Sequence, residues 1–135
     1  MSYEVNDAPQ RGVYSVTITG GTATAAGGQA AILNPEGVDL WIKDWALAVT
    51  SNSTGATNLT IGTAASGTVA ANSLLTTTAM AAAAGSVFTG ITSGTAAGQN
   101  VTTTAKWGSA HYINVTASAS AAGLEAVLFI DYVRI

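Results

Sequence analysis

The chain is predicted to form one all-β domain, a β-sandwich or barrel of about eight short antiparallel strands. Three observations carry that expectation. Apolar and β-branched residues alternate with a period of two in separate short runs, most cleanly at 12–19 and 110–119. Turn signals divide the runs, among them Gly20-Gly21, Asn34-Pro35-Glu36-Gly37 and the stretch from Ser120 to Gly123. No stretch carries a strong, sustained helical pattern.

Taken in order, residues 1–11 are polar, contain Pro9 and show no periodicity. They read as an N-terminal arm, either a disordered terminus or a segment that docks on a partner with Tyr3 and Val5 as anchors. The domain proper is placed at 12–135. Gly12 to Thr19 is the first strand, with Val13, Ser15, Thr17 and Thr19 on one face and Tyr14, Val16 and Ile18 on the other. Gln29 to Leu33 is a short strand stopped by the Asn34–Gly37 turn.

Val38 to Thr50 holds two of the three tryptophans and reads as a long strand. A regular strand puts Trp41, Lys43, Trp45, Leu47 and Val49 on one face, and Leu40, Ile42, Asp44, Ala46 and Ala48 on the other. Lys43 then lies between two rings, where it either makes a cation–π contact or snorkels over them. A polar turn at 51–57 and a strand at 58–64 suggest a hairpin with the tryptophan strand.

Residues 65–106 are the least legible, because their large apolar residues are sparse. One helical turn over 76–84 ending at Gly85, and short strands near 86–91 and 99–105, are the expectation there. Ala110 to Ala119 is a strand with His111 in it, and Leu124 to Ile135 is the most apolar run. Val127 to Ile130 is apolar at every position, which marks a central strand.

Composition bounds the function. The chain has 135 residues, the length of one ordinary domain. Its hydrophobic content is 48%, but much of that is alanine, so the core is lean for the size. Burial at a subunit interface would offset the shortfall, and self-association is expected. The four basic residues, Arg11, Lys43, Lys106 and Arg134, are scattered. Nucleic-acid binding, which needs a clustered basic patch, is not expected. Neither a basic amphipathic helix nor an apolar run of about 20 residues is present, so no membrane role is expected. The first residues lack the basic start and apolar run of a signal peptide, and the chain is expected to be made in a cytoplasm.

No chemistry is legible. There is no cysteine, and His111 is the single histidine, so neither a zinc site nor a thiolate is expected. Glu125 and Asp131 share a strand face but lie roughly 20 Å apart at about 3.3 Å per residue. A glycosidase pair needs far less separation than that. No Walker, Rossmann or Gly-x-Ser-x-Gly motif occurs, and no cofactor or enzymatic activity is expected. Trp41, Trp45, Trp107 and Tyr112 form either a sugar-stacking platform or, the favoured reading, packing at a core or an interface. The interface candidates are Tyr3, Val5, Trp41, Trp45, Phe129 and Tyr132.

Several stretches resemble a known family when taken in order. They are Asn34-Pro35-Glu36-Gly37 with the long strand to Thr50, Lys106-Trp107-Gly108, His111 to Thr116, and Gly123-Leu124 leading into Ile130-Asp131-Tyr132-Val133. Together they are similar to the small jelly-roll decoration, or cement, proteins of tailed-bacteriophage heads. The likeness spans 12–135 and its motifs are structural. It implies a jelly-roll β-sandwich that forms a homotrimer on the outer capsid surface of a virion and clamps the major capsid protein after synthesis in the bacterial host cytoplasm. Related jelly rolls serve as head fibres or as receptor- and glycan-binding tips, which is the alternative. No catalytic residues come with the resemblance.

Overall fold

A computed structural model describes residues 11–90 and 105–135 of the chain. Among the described residues it has nine strands: β1 (Arg11–Thr19), β2 (Ala30–Leu33), β3 (Leu40–Ser51), β4 (Asn58–Ala64), β5 (Leu75–Ala79), β6 (Val87–Thr89), β7 (Ala105–Trp107), β8 (Tyr112–Ala117) and β9 (Glu125–Arg134). The expected arm residues 1–10, with Tyr3 and Val5, and the start of the expected 99–105 strand lie outside the described residues.

The strands form two antiparallel sheets that enclose one hydrophobic core, a β-sandwich. The first sheet runs β1-β9-β3-β6, and β7 takes the remaining length of the β3 edge. The second runs β2-β8-β4-β5. The pairs are nested: β4 with β5, β3 with β6, β2 with β8, and β1 with β9. The chain is thus one long hairpin whose successive pairs are sent alternately to the two sheets.

Inward faces follow from the apolar alternation. In β1, Tyr14, Val16 and Ile18 point to the core side and Val13 points out. In β9, Ala126, Leu128, Ile130 and Tyr132 are buried. As the run of apolar residues suggested, β9 is central, flanked by β1 and β3. Asn114 in β8 is a buried polar exception. Its Nδ2 donates to the Ser66 and Val69 carbonyls at 2.8 and 2.7 Å, which fastens the β4–β5 loop over the second sheet.

Three expectations are corrected. The strands at 38–50 and 58–64 do not form a hairpin, because β3 and β4 belong to different sheets. The connecting segment is tied sideways instead. Ser53 N–H donates to Met80 O at 3.2 Å, Thr54 N–H to Ala122 O at 2.8 Å and the Thr57 hydroxyl to Ala119 O at 2.8 Å. The long apolar β9 occupies the β3 edge that a returning strand would have used. Second, the segment expected to make a helical turn at 76–84 begins in β5, where three β-branched threonines favour extended backbone. Third, His111 is not within a strand but in the turn before β8, where its N–H closes onto Gly108 O at 2.9 Å.

Candidate interaction face

The outward face of the first sheet is the unusual surface. A solvated sheet face ordinarily carries polar residues. Here Val13, Trp41, Val87 and Phe129 are large, apolar and exposed, Val13 at 71%. Strand register links them through smaller residues. Phe129 stands opposite Ser15 on one side and Ala46 on the other, and Val127 lies between Thr17 and Ala48. Ala48 in turn faces Val87, and Val133 faces Trp41. The outward face of the second sheet carries Leu33, exposed at 51%, beside smaller or polar residues such as Thr60 and Thr116.

A β-bulge shapes the middle of this face. The β3–β9 register slips between Ile42 and Asp44, so Lys43 is the extra residue. Alternation reverses across it. Leu40 and Ile42 are buried before the bulge, and Trp45, Leu47 and Val49 are buried after it. Trp41 and Trp45 therefore end on opposite faces, Trp41 at 47% exposure and Trp45 at 3%. The expected face shared by Trp41, Lys43 and Trp45 does not exist, and Lys43 does not sit between two rings.

The bulge brings two carboxylates together from different strands. Asp44 of β3 stands opposite Asp131 of β9. Like charges placed directly opposite repel. Asp131 is partly compensated by Arg11, whose Nη2 donates to Oδ2 at 2.5 Å, but its Oδ1 is buried with no partner among the described residues. Asp44 Oδ1 accepts the N–H of Trp45, at 2.7 Å. The two acids help to line a notch of about 80 Å³ with Val13, Ala46 and Phe129. That is far below the roughly 300 Å³ at which small-molecule pockets begin. Among the described residues Arg11, Lys106 and Arg134 are ion-paired, and Lys43 is exposed without an ion pair. Asp44 and Asp131 have no visible link in the sequence, because a bulge leaves no fixed residue signature in this strand.

Of the interface candidates, Trp41 and Phe129 lie exposed on this face, whereas Trp45 and Tyr132 are buried in the chain's own core. The aromatic platform does not assemble either. Trp107 is fully buried, packed edge-on between Tyr14 and Tyr132 at 6.4 Å from each, and its Nε1–H donates to His111 O at 3.1 Å.

At one end of the sandwich, Asn34 joins the two stretches on which the resemblance chiefly rests. Its Oδ1 accepts the N–H groups of Glu36 and Gly37, and its Nδ2 donates to the carbonyls of Val38, Trp107 and Gly108. Gly37 has φ +71°, a backbone conformation suited to glycine, which lets the turn close under Asn34. Glu36 then accepts the Tyr132 hydroxyl at 2.6 Å and Arg134 Nε at 3.0 Å. The Tyr132 hydrogen bond, followed by that from Arg134, holds the Glu36 carboxyl below the usual carboxylate range. Burial, and then the Glu36 carboxylate, push the Tyr132 hydroxyl up to about 12.

Beside this end lies an open groove of about 460 Å³ bounded by Thr63, Lys106, Ser109 and His111, with Asp39 on its wall. Asp39 is engaged there by Lys106 Nζ at 3.2 Å and the Ser109 N–H at 3.0 Å, which together lower its pKa. Among the described residues no group of three or more His, Asp or Glu gathers as metal ligands would, and no helix is long and apolar enough to cross a membrane. No protein-family model matches the chain, nor does any curated protein or solved structure.

Proposed function

We propose that the chain is a structural virion protein that decorates a tailed-bacteriophage capsid as a homotrimer on its outer surface, contacts the major capsid protein and catalyses nothing. The observation that carries this reading is the exposed apolar face of the first sheet. A contiguous apolar patch on a folded domain marks a surface that another protein covers. Two further features support the reading. With β7 set aside, the nested pairs of β1–β6, β8 and β9 fit the double Greek key of a jelly roll, an architecture used in viral capsids. The two stretches on which the resemblance chiefly rests also meet at one hydrogen-bonding residue, Asn34.

The test has two parts. Light scattering on the purified chain should return three times the chain mass of 13.4 kDa. The chain should also co-sediment with expanded capsids of the phage whose genome encodes it. A monomer that stays in the supernatant overturns the reading.

The alternative, a head-fibre or glycan-binding module, draws its support from the polar groove beside Lys106 and His111. A glycan array separates the two. Binding that is lost in Lys106→Ala and His111→Ala favours the module, and an empty array removes it.

A further inference from the structure

We infer that the outward face of the first sheet is the contact between copies of this chain, and that Lys43 of one copy enters the Asp44–Asp131 notch of the next. The inference rests on the self-associating reading above and specifies its contact surface.

Shape and charge both point to a second copy as the occupant. The bulge adds a residue to β3, and that residue, Lys43, stands exposed on the strand whose next residue is Asp44. A few ångströms away in register, the notch between β3 and β9 is bordered by two carboxylates and floored by apolar side chains. Among the described residues these carboxylates have a single ion-pairing partner, Arg11, and the buried Asp131 Oδ1 has none. Among the described residues Lys43 is the cation left without a carboxylate. One face thus carries an unmatched cation on a protrusion and an unmatched anion in a hollow, and a second copy supplies the complement of each.

The apolar residues surrounding the pair complete the surface. Val13, Phe129, Val127, Ala48 and Val87 exclude water around it, and Trp41 lies on the same face beyond the bulge. Charged groups set the register of such contacts and exclude wrong partners, while apolar area supplies most of the affinity. A closed ring meets the same requirement, because each copy can give Lys43 to one neighbour and receive Lys43 from the other. A notch this small admits the end of one side chain rather than an organic ligand.

Complementary charge reversal tests the inference. Lys43→Glu leaves a face with only negative charge, and Asp44→Lys leaves one with positive charge on both bulge residues. Each variant alone is expected to self-associate at least about tenfold more weakly than the parent, and the parent's association should weaken as salt rises. Mixing the two variants should partly restore assemblies that contain both chains, read by native mass spectrometry, because a ring of three keeps one contact between like variants. Circular dichroism and urea midpoints check that each chain is folded. Lys43→Glu is the control for Asp44→Lys, since among the described residues the Lys43 side chain has no ion pair to lose. If the parent assembles and both variants assemble equally well, or if the mixture restores nothing, this contact is wrong and the self-associating reading stands. If the parent itself is monomeric, that reading falls and takes the inference with it.

Discussion

Single residues hold this small core in place, and Asn34 is the most heavily used. It hydrogen-bonds with five backbone groups, its amide nitrogen sharing two protons among three carbonyls. Asn34→Ala would strand buried carbonyls of Trp107 and Gly108 and open the Gly37 turn. A loss of about 2–4 kcal/mol is expected in urea unfolding. Glu36 and Tyr132 add a pH signature. Glu36 titrates below its ordinary range in the fold, so its contribution is complete above about pH 4.5 and fades as pH falls through the lowered value. Tyr132 titrates higher in the fold, so its contribution is complete below about pH 10 and is lost as pH rises towards 12. Tyr132→Phe should therefore remove part of the alkaline loss of stability seen in thermal melts between those values. The Asn34 turn was legible as a turn, from Asn-Pro-Glu-Gly. Its reach to residues 107 and 108 was not, because side-chain hydrogen bonds between distant segments leave no local pattern.

At the scale of elements, the strands with strong alternation were legible and those without it were not. β1, β8 and β9 fall where period two places them. β5 was not found because a threonine run carries β propensity without apolar alternation. β3 was found, but its faces were assigned wrongly beyond Ile42, since one inserted residue reverses every later side chain. That dependence can be measured. Deleting Lys43 removes the extra residue, so β3 can pair regularly with β9 while Leu40 and Ile42 before it and Trp45, Leu47 and Val49 after it keep their inward faces. The deleted chain should therefore still fold cooperatively in chemical denaturation. Deleting Ala46, a residue paired with Phe129, instead turns Leu47 and Val49 outward or makes the pairing with β9 slip. Either exposes buried side chains worth about 1.5–3 kcal/mol each, and that chain should not fold cooperatively.

At the scale of the whole molecule, the β-sandwich was legible from turn spacing and alternation, whereas the sheet order was not. The mistaken β3–β4 hairpin shows why. Neighbouring strands with a short polar turn usually pair, but here the nested order sends them to different sheets. The apolar outer face also has a consequence at this scale. Substituting Val13 and Phe129 together with threonine removes apolar groups that the isolated chain leaves exposed. Stability of the single chain should change by less than about 1 kcal/mol, since these side chains lie outside the core. Self-association, read by sedimentation velocity, should be lost. By contrast, Leu47→Ala within the core should cost about 2–5 kcal/mol.

The nested order also dictates when this protein can fold. Arg11 pairs with Val133, and Leu40 with Arg134, so the first sheet joins the beginning of the described chain to its last strand. While a ribosome is still short of β9, β1 has no neighbour and β3 lacks its main one. The nascent chain must wait with its future apolar face and two strand edges unpaired. Contacts this distant in sequence also slow folding itself, to the millisecond-to-second range seen for all-β sandwiches. The interval before β9 emerges is therefore when this chain is most open to aggregation. In pulse-proteolysis of arrested nascent chains, protection should appear in a single step once β9 is free of the ribosome, not strand by strand.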